Sequence, residues 1–247
     1  MPAASNIKSG SRPLHVWTKK MAACLALIVA VGFWGKEAHG QLSQEQVAFN
    51  EAIVSSTYEE ITDDPALYEF ARAKGAAAFA KNCSRCHGSE GQGTPGIPAL
   101  IDNDWVWGGD FESIYWTIRY GVRGKDMLTR ASSMPEFTAS GDLSGEEAGA
   151  LAEFVLTLSQ TPDFESPAGK NFVSQCAACH GPYGEGYKGY GAPALNDRVW
   201  LYGETIDDIR SQIMHAQHGM MPAWDEQLPP EVVKSLAVYV HSLGGGE

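Results

Sequence analysis

The chain has 247 residues, 44% hydrophobic and 19% charged, an ordinary globular composition with room for one large domain or two small ones. The formal net charge is −12; setting aside the five basic and one acidic residues of positions 1–40 leaves 13 basic and 29 acidic residues, a net of −16, on residues 41–247. A body that acidic repels phosphate backbones, which argues against a nucleic-acid partner and suits a basic face on a protein partner; acidity that serves solubility alone is the plainer alternative.

Lys19 and Lys20 precede an apolar run from Met21 to Gly35. Fifteen residues fall short of the roughly 20 that a bilayer span needs, and the pattern matches the basic and apolar regions of a secretory signal. Ala38-His39-Gly40 offers small residues before a cleavage site at Gln41. Residues 1–40 therefore read as a signal peptide or a membrane anchor. Either reading sends the rest of the chain across the membrane. Cys24 lies near the start of the run, whereas a lipid-modified cysteine follows one.

Residues 41–64 read as a helical linker, with Gln44 to Thr57 free of strong breakers. Asp64 before Pro65 marks a helix start, and the next helix runs from Pro65 to Asn82 with Gly75 as a point of interruption. Beyond it the chain repeats itself. Phe79-x-x-x-Cys83 returns as Phe172-x-x-x-Cys176, and Pro98-Ala99-Leu100 as Pro193-Ala194-Leu195. Trp105-Val106-Trp107-Gly108 returns as Trp200-Leu201-Tyr202-Gly203, and Met134-Pro135 as Met221-Pro222. The order is the same in both copies, which predicts two domains, residues 65–161 and 162–247, joined near Gln160–Pro167. Strand signals are nearly absent. Helices are expected at Glu112–Tyr120 and Thr205–His215, and at the end of each copy, Ser144–Ser159 and Pro229–Ser242. In the last of these Val232, Val233, Leu236, Val240 and Leu243 share one face at helical spacing. The expected fold is all-α, two tandem small domains after an N-terminal hydrophobic segment.

Four of the five cysteines fall in Cys83-Ser84-Arg85-Cys86-His87 and Cys176-Ala177-Ala178-Cys179-His180, so a disulfide framework is not indicated. Two thiols three positions apart, followed by histidine, match the attachment of one c-type haem, with the histidine as proximal iron ligand. A zinc knot would bring the two Cys-x-x-Cys units together, yet each stands in its own copy of the repeat. A redox dithiol needs a βαβ context, and none is visible. Two covalent haems are expected, each supplying apolar bulk to a domain small for a core of its own. Cofactor-binding residues are then Cys83, Cys86, His87, Cys176, Cys179 and His180.

A sixth ligand must come from the opposite side. Met134 and Met221 are the repeat-matched candidates, each followed by proline ahead of the terminal helix. Met127 and Met220 lie nearby, and His215 or His218 would make the second haem bis-histidine. Pro98 and Pro193 sit where a carbonyl can accept the proximal imidazole N–H. Trp105, Trp107, Trp200 and Tyr202 suit a haem edge or a propionate, or plain core packing. Arg119 and Arg123 suit propionates or solvent. His15, His39 and His241 carry no motif.

These residues and their flanks resemble the dihaem subunit III of cbb3-type cytochrome c oxidases. The resemblance covers about Tyr58 to Glu247 and rests on YEEITDDPALYEFARAKGAAAFAKNCSRCHG, DNDWVWGGDFESIYWTIRYGVRG, SSMPEF and LAVYVHSLGGGE. It implies tandem cytochrome c domains that take electrons from a soluble cytochrome c or the bc1 complex. They pass them to a monohaem cytochrome c subunit and then to the haem-copper catalytic subunit, on the periplasmic side of the membrane. It also implies the ligand pairs His87 with Met134 and His180 with Met221, and no catalytic residues. A free periplasmic dihaem shuttle is the alternative. A dihaem peroxidase is disfavoured because a sixth ligand is on offer in both copies.

Overall fold

The computed structural model describes residues 42–245, so the expected signal peptide or anchor at residues 1–40 lies outside the described residues. Those residues are helical, with isolated bridges in place of strands. In chain order the helices are α1 (Gln44–Ser55), α2 (Tyr58–Asp63), α3 (Pro65–Asn82), α4 (Ser84–His87), α5 (Phe111–Tyr120) and α6 (Phe137–Ser140). There follow α7 (Gly145–Thr157), α8 (Pro167–Gln175), α9 (Ala177–His180), α10 (Ile206–Met214) and α11 (Pro230–His241). A single 3-10 turn covers Lys188–Tyr190.

Local sequence sets the starts of these helices. The Asp64 carboxylate accepts from the N–H groups of Ala66 and Leu67 ahead of Pro65, as the Asp-Pro pair predicts. Asp110 and Ser166 cap α5 and α8 through the N–H groups of Ser113 and Gly169. Thr57, Ser144 and Thr205 form reciprocal boxes with Glu60, Glu147 and Asp208. Gly75 does not interrupt α3. It is buried where α11 crosses, and a Cβ there would overlap the Ser235 carbonyl and the Cβ of Tyr239. The glycine is a point of close approach between two helices.

Among the described residues, 48–245 form one compact unit with two hydrophobic cores. The first draws on Ile53 and Ile61, on Leu67, Ala71 and Phe79 of α3, and on Phe111, Ile114 and Ile118 of α5. It is completed by Val233, Leu236, Ala237, Val238 and Val240 of α11. The second joins Leu151, Ala152 and Val155 of α7 to Phe172 of α8 and to Ile209 and Ile213 of α10.

The cores do not follow the expected boundaries 65–161 and 162–247. The terminal helix of the first copy, α7, packs on α8 and α10 of the second. The terminal helix of the second copy, α11, packs on α3 and α5 of the first. The two copies have exchanged their last helices. The physical reason is that the apolar stripes of α7 and α11 are built alike, so either helix can cover either core, and the connecting loops decide which. Those loops cross at an antiparallel pair in which Val122 and Met221 exchange both backbone hydrogen bonds (2.9 and 3.0 Å).

Candidate haem sites

Each Cys-x-x-Cys-His unit stands at a helix end. The Cys83 N–H donates to the Phe79 carbonyl (2.8 Å), closing α3, and α4 then makes one turn that ends on His87. The second unit repeats this, with Cys176 closing α8 on Phe172 (2.8 Å) and α9 ending on His180. Within each unit the two cysteines lie one helical turn apart, and none of the four is in a disulfide. The first cysteine of each pair is turned inwards and the second is exposed. Burial, with a smaller contribution from the neighbouring thiol, pushes Cys83 up to about 11 and Cys176 up to about 12. Both are therefore neutral thiols, unlike an activated nucleophilic cysteine.

The histidines are held in one tautomer. The Nδ1–H of His87 donates to the Pro98 carbonyl (3.0 Å), and that of His180 donates to the Pro193 carbonyl (2.9 Å). A carbonyl only accepts, so Nδ1 carries the proton and Nε2 is left with its lone pair. Burial pushes both imidazoles below their ordinary value, the carbonyl bond opposing it, and this keeps Nε2 unprotonated near neutral pH. Two thiols a turn apart, with a neutral imidazole oriented through its other nitrogen, are the donor set that a c-type haem requires.

The methionines are placed by the helix exchange. Met221 packs against the first core, as do Cys83, Leu100 and Trp105. Met134 packs against the second core, which contains Cys176. The fold therefore places Met221 on the core of the His87 lobe and Met134 on the core of the His180 lobe, whereas the resemblance implies the pairs His87–Met134 and His180–Met221. The reason is geometric: each methionine lies on the chain segment that leads to a terminal helix, and those helices have changed places.

Other candidates fall elsewhere. Met127 is 99% exposed and Met220 is 70% exposed. His215 is the C-cap of α10, and the Nε2–H of His218 donates to the Met134 carbonyl (3.1 Å). His241 bonds the Tyr58 hydroxyl (2.8 Å). Trp105 donates to the Gly245 carbonyl, Trp107 lies under Arg130, Trp200 packs on the second core, and the Tyr202 hydroxyl accepts from the Gly219 N–H (2.9 Å). Arg119 makes a two-pronged pair with Asp225 (3.0 and 2.8 Å). Arg123 donates to two carbonyls, a role that its place in the sequence did not signal.

The family model for cytochrome c oxidase, cbb3-type, subunit III matches residues 70–155 and 166–240. This chain belongs to that family. It is 46% identical over 202 residues to the cbb3-type cytochrome c oxidase subunit FixP of Sinorhizobium medicae, covering 80% of this chain and 69% of that protein. Identity to the FixP subunit of Bradyrhizobium diazoefficiens is 42% over 200 residues (79% and 69% of the two chains). With the FixP of Bradyrhizobium sp. (strain ORS 278) it is 35% over 273 residues, 99% of this chain and 94% of the relative. As a cbb3-type subunit III, the chain is an electron-transfer component of an oxidase and not a free shuttle, with haem c as its cofactor. No helix among the described residues is long and apolar enough to cross a membrane, and the apolar run Met21 to Gly35 lies outside them.

Proposed function

We propose that the chain holds two haems c with exchanged sixth ligands. Cys83, Cys86 and His87 hold the first with Met221, and Cys176, Cys179 and His180 hold the second with Met134. The observation that carries this reading is that each methionine shares a core with the cysteine of the opposite copy. A haem held between an imidazole and a thioether would supply reversible one-electron chemistry, with the four ligand side chains holding it in place.

The residues of this chain keep that exchange simple. The inward thiols of Cys83 and Cys176 and the exposed thiols of Cys86 and Cys179 would hold the ring covalently at two points each. The Pro98 and Pro193 carbonyls hold the imidazoles in register and raise their basicity. Apolar side chains of the two cores keep water from the ligand side, and no general acid, base or nucleophile is needed. Electrons enter from a soluble cytochrome c or a bc1-type donor. They leave towards the monohaem and haem-copper subunits of a cbb3-type oxidase, on the periplasmic side of the bacterial inner membrane. Residues 1–40 anchor the chain there or direct it there. The acidic body suits a donor with a basic docking face.

The test is proton NMR of the reduced full-length protein with selectively labelled methionines. The Met221 methyl should show cross-relaxation with the haem attached to Cys83 and Cys86, and the Met134 methyl with the other. Cross-relaxation of Met221 with the haem on Cys176 would refute the exchanged pairing. For the partner reading, tagged protein drawn from detergent-solubilised membranes should bring the haem-copper subunit with it. Its absence under conditions that keep the oxidase intact counts against assembly.

A further inference from the structure

Arg123 has the only positive φ (52°) of a non-glycine residue among those described. It lies in Gly121-Val122-Arg123-Gly124, on the loop that leaves α5. Glycine adopts this conformation without steric cost, so a side chain retained there points to a use for that side chain. The guanidinium is half-buried and donates in two directions. Its Nε–H reaches the Gly219 carbonyl (2.6 Å) and its Nη1 reaches the Ser132 carbonyl (2.9 Å). Gly219 lies two residues before Met221, and Ser132 two residues before Met134. One cation therefore ties together the two chain segments that present the methionines.

The surrounding bonds point to the same junction. The Arg123 N–H donates to the Arg130 carbonyl (2.7 Å), and Val122 exchanges both backbone bonds with Met221. His218, next to Gly219, donates to the Met134 carbonyl. On the Met221 side alone, the Gly219 N–H donates to the Tyr202 hydroxyl.

We propose that Arg123 is a shared positioning residue for both methionines, so that sixth-ligand binding at the two haems is linked through one side chain. This rests on the ligation proposed above. The guanidinium suits the task because it keeps its charge and carries donors on diverging edges, whereas a lysine ammonium is a single point. Loosening it frees both methionine segments at once.

The test uses full-length holoprotein. The long-wavelength methionine–iron band of the ferric state is measured, with the ring-current-shifted methyl resonances of Met134 and Met221 in the ferrous state. In Arg123→Gln the band should lose at least half its amplitude, with both methyl resonances altered and both midpoint potentials lowered. Arg123→Lys should recover less than half of the loss. Tyr202→Phe should alter the Met221 resonance more than that of Met134. Loss at one haem only, no loss at either, or full recovery by lysine overturns the proposal. If the unmodified protein has no methionine–iron band, the ligation itself is wrong. If it has the band and Arg123→Gln keeps it, only the shared role is wrong. Should Arg123→Gln fail to take up haem, imidazole titration of the unmodified ferric protein decides. Linked segments predict displacement of the two methionines with a Hill slope above 1, and two independent isotherms overturn the linkage.

Discussion

The two lobes are built from the same motif and are supported differently. The second core uses a continuous stretch, from Phe137 to Ile213. The first is discontinuous: it begins at Ile53, breaks after Ile118 and is completed only by Val233 to Val240 of α11. The first lobe also has the longer entry helix, 18 residues in α3 against 9 in α8. It has extra buttresses in Ile53 of α1 and Ile61 of α2, in Tyr58 stacked on Phe111, and in Lys234, whose ammonium donates to the Val54 and Ser56 carbonyls. The second lobe does without these and buries its ligand side more fully: Cys176 and His180 are buried, whereas Cys83 and His87 are only partly covered. A repeat therefore specifies a site without specifying its scaffold. Closing a core across more than a hundred residues costs loop entropy, and the added contacts of the first lobe offset it.

The comparison breaks most visibly at the C-terminus. Removing residues 229–247 deletes α11, which strips the first core of Val233, Leu236 and Val240 and leaves the second intact. Hydrogen exchange of the truncated holoprotein should show α3 and α5 unprotected and α7, α8 and α10 still protected. Loss of protection in both lobes alike would show that they fold as one unit.

A smaller effect comes from single cavities. Leu236→Ala and Leu151→Ala each remove a fully buried side chain from a terminal helix, and each should cost about 2–5 kcal/mol. Leu236→Ala should raise exchange in α3 and α5, and Leu151→Ala in α8 and α10. The opposite pattern would restore the boundaries read from the repeat. Gly75→Ala probes the crossing itself. The added Cβ meets Ser235 backbone, so a loss of about 1–3 kcal/mol confined to the first lobe is expected by regional exchange.

The smallest effect is electrostatic and sits between the lobes. Asp104 lines a cleft with Trp105, Lys188, Pro193 and Asp197. Burial first, then the charges of Asp197 and Asp102, opposed by Lys188, raise its carboxyl to about 6. An acid raised on folding binds its proton more tightly in the folded state. Its contribution is favourable at low pH and is lost as pH rises from the ordinary carboxylate value through about 6. Asp104→Asn should therefore stabilise the protein at pH 7 by about 1 kcal/mol once solvent screening is allowed for, with no gain at pH 4. Thermal melts at the two pH values measure this.

Much of the molecule was legible in the chain itself. The Cys-x-x-Cys-His units, the Asp64-Pro65 start of α3, the paired proline carbonyls and the spans of α5, α7, α10 and α11 follow from local rules. Capping, helical period and the two-thiol spacing act within a few residues, so no distant contact is needed to read them. The bond from Arg123 to the two methionine segments was not legible, because its partners are carbonyls and any residue supplies one. The role of Gly75 is hidden for a related reason: a glycine inside a helix looks the same whether it breaks the helix or admits a neighbour.

The sequence by itself determined that there would be two matching Cys-x-x-Cys-His units in two copies of a repeat, and which faces of α7 and α11 are apolar. Only the tertiary structure decided which terminal helix covers which core, and with it which methionine packs against which core. A periodic apolar stripe states that a face must be buried and carries no address for its partner. With two nearly identical stripes and two nearly identical cores, both pairings satisfy the pattern. The choice rests on loop paths and on close approaches such as Gly75 against Ser235.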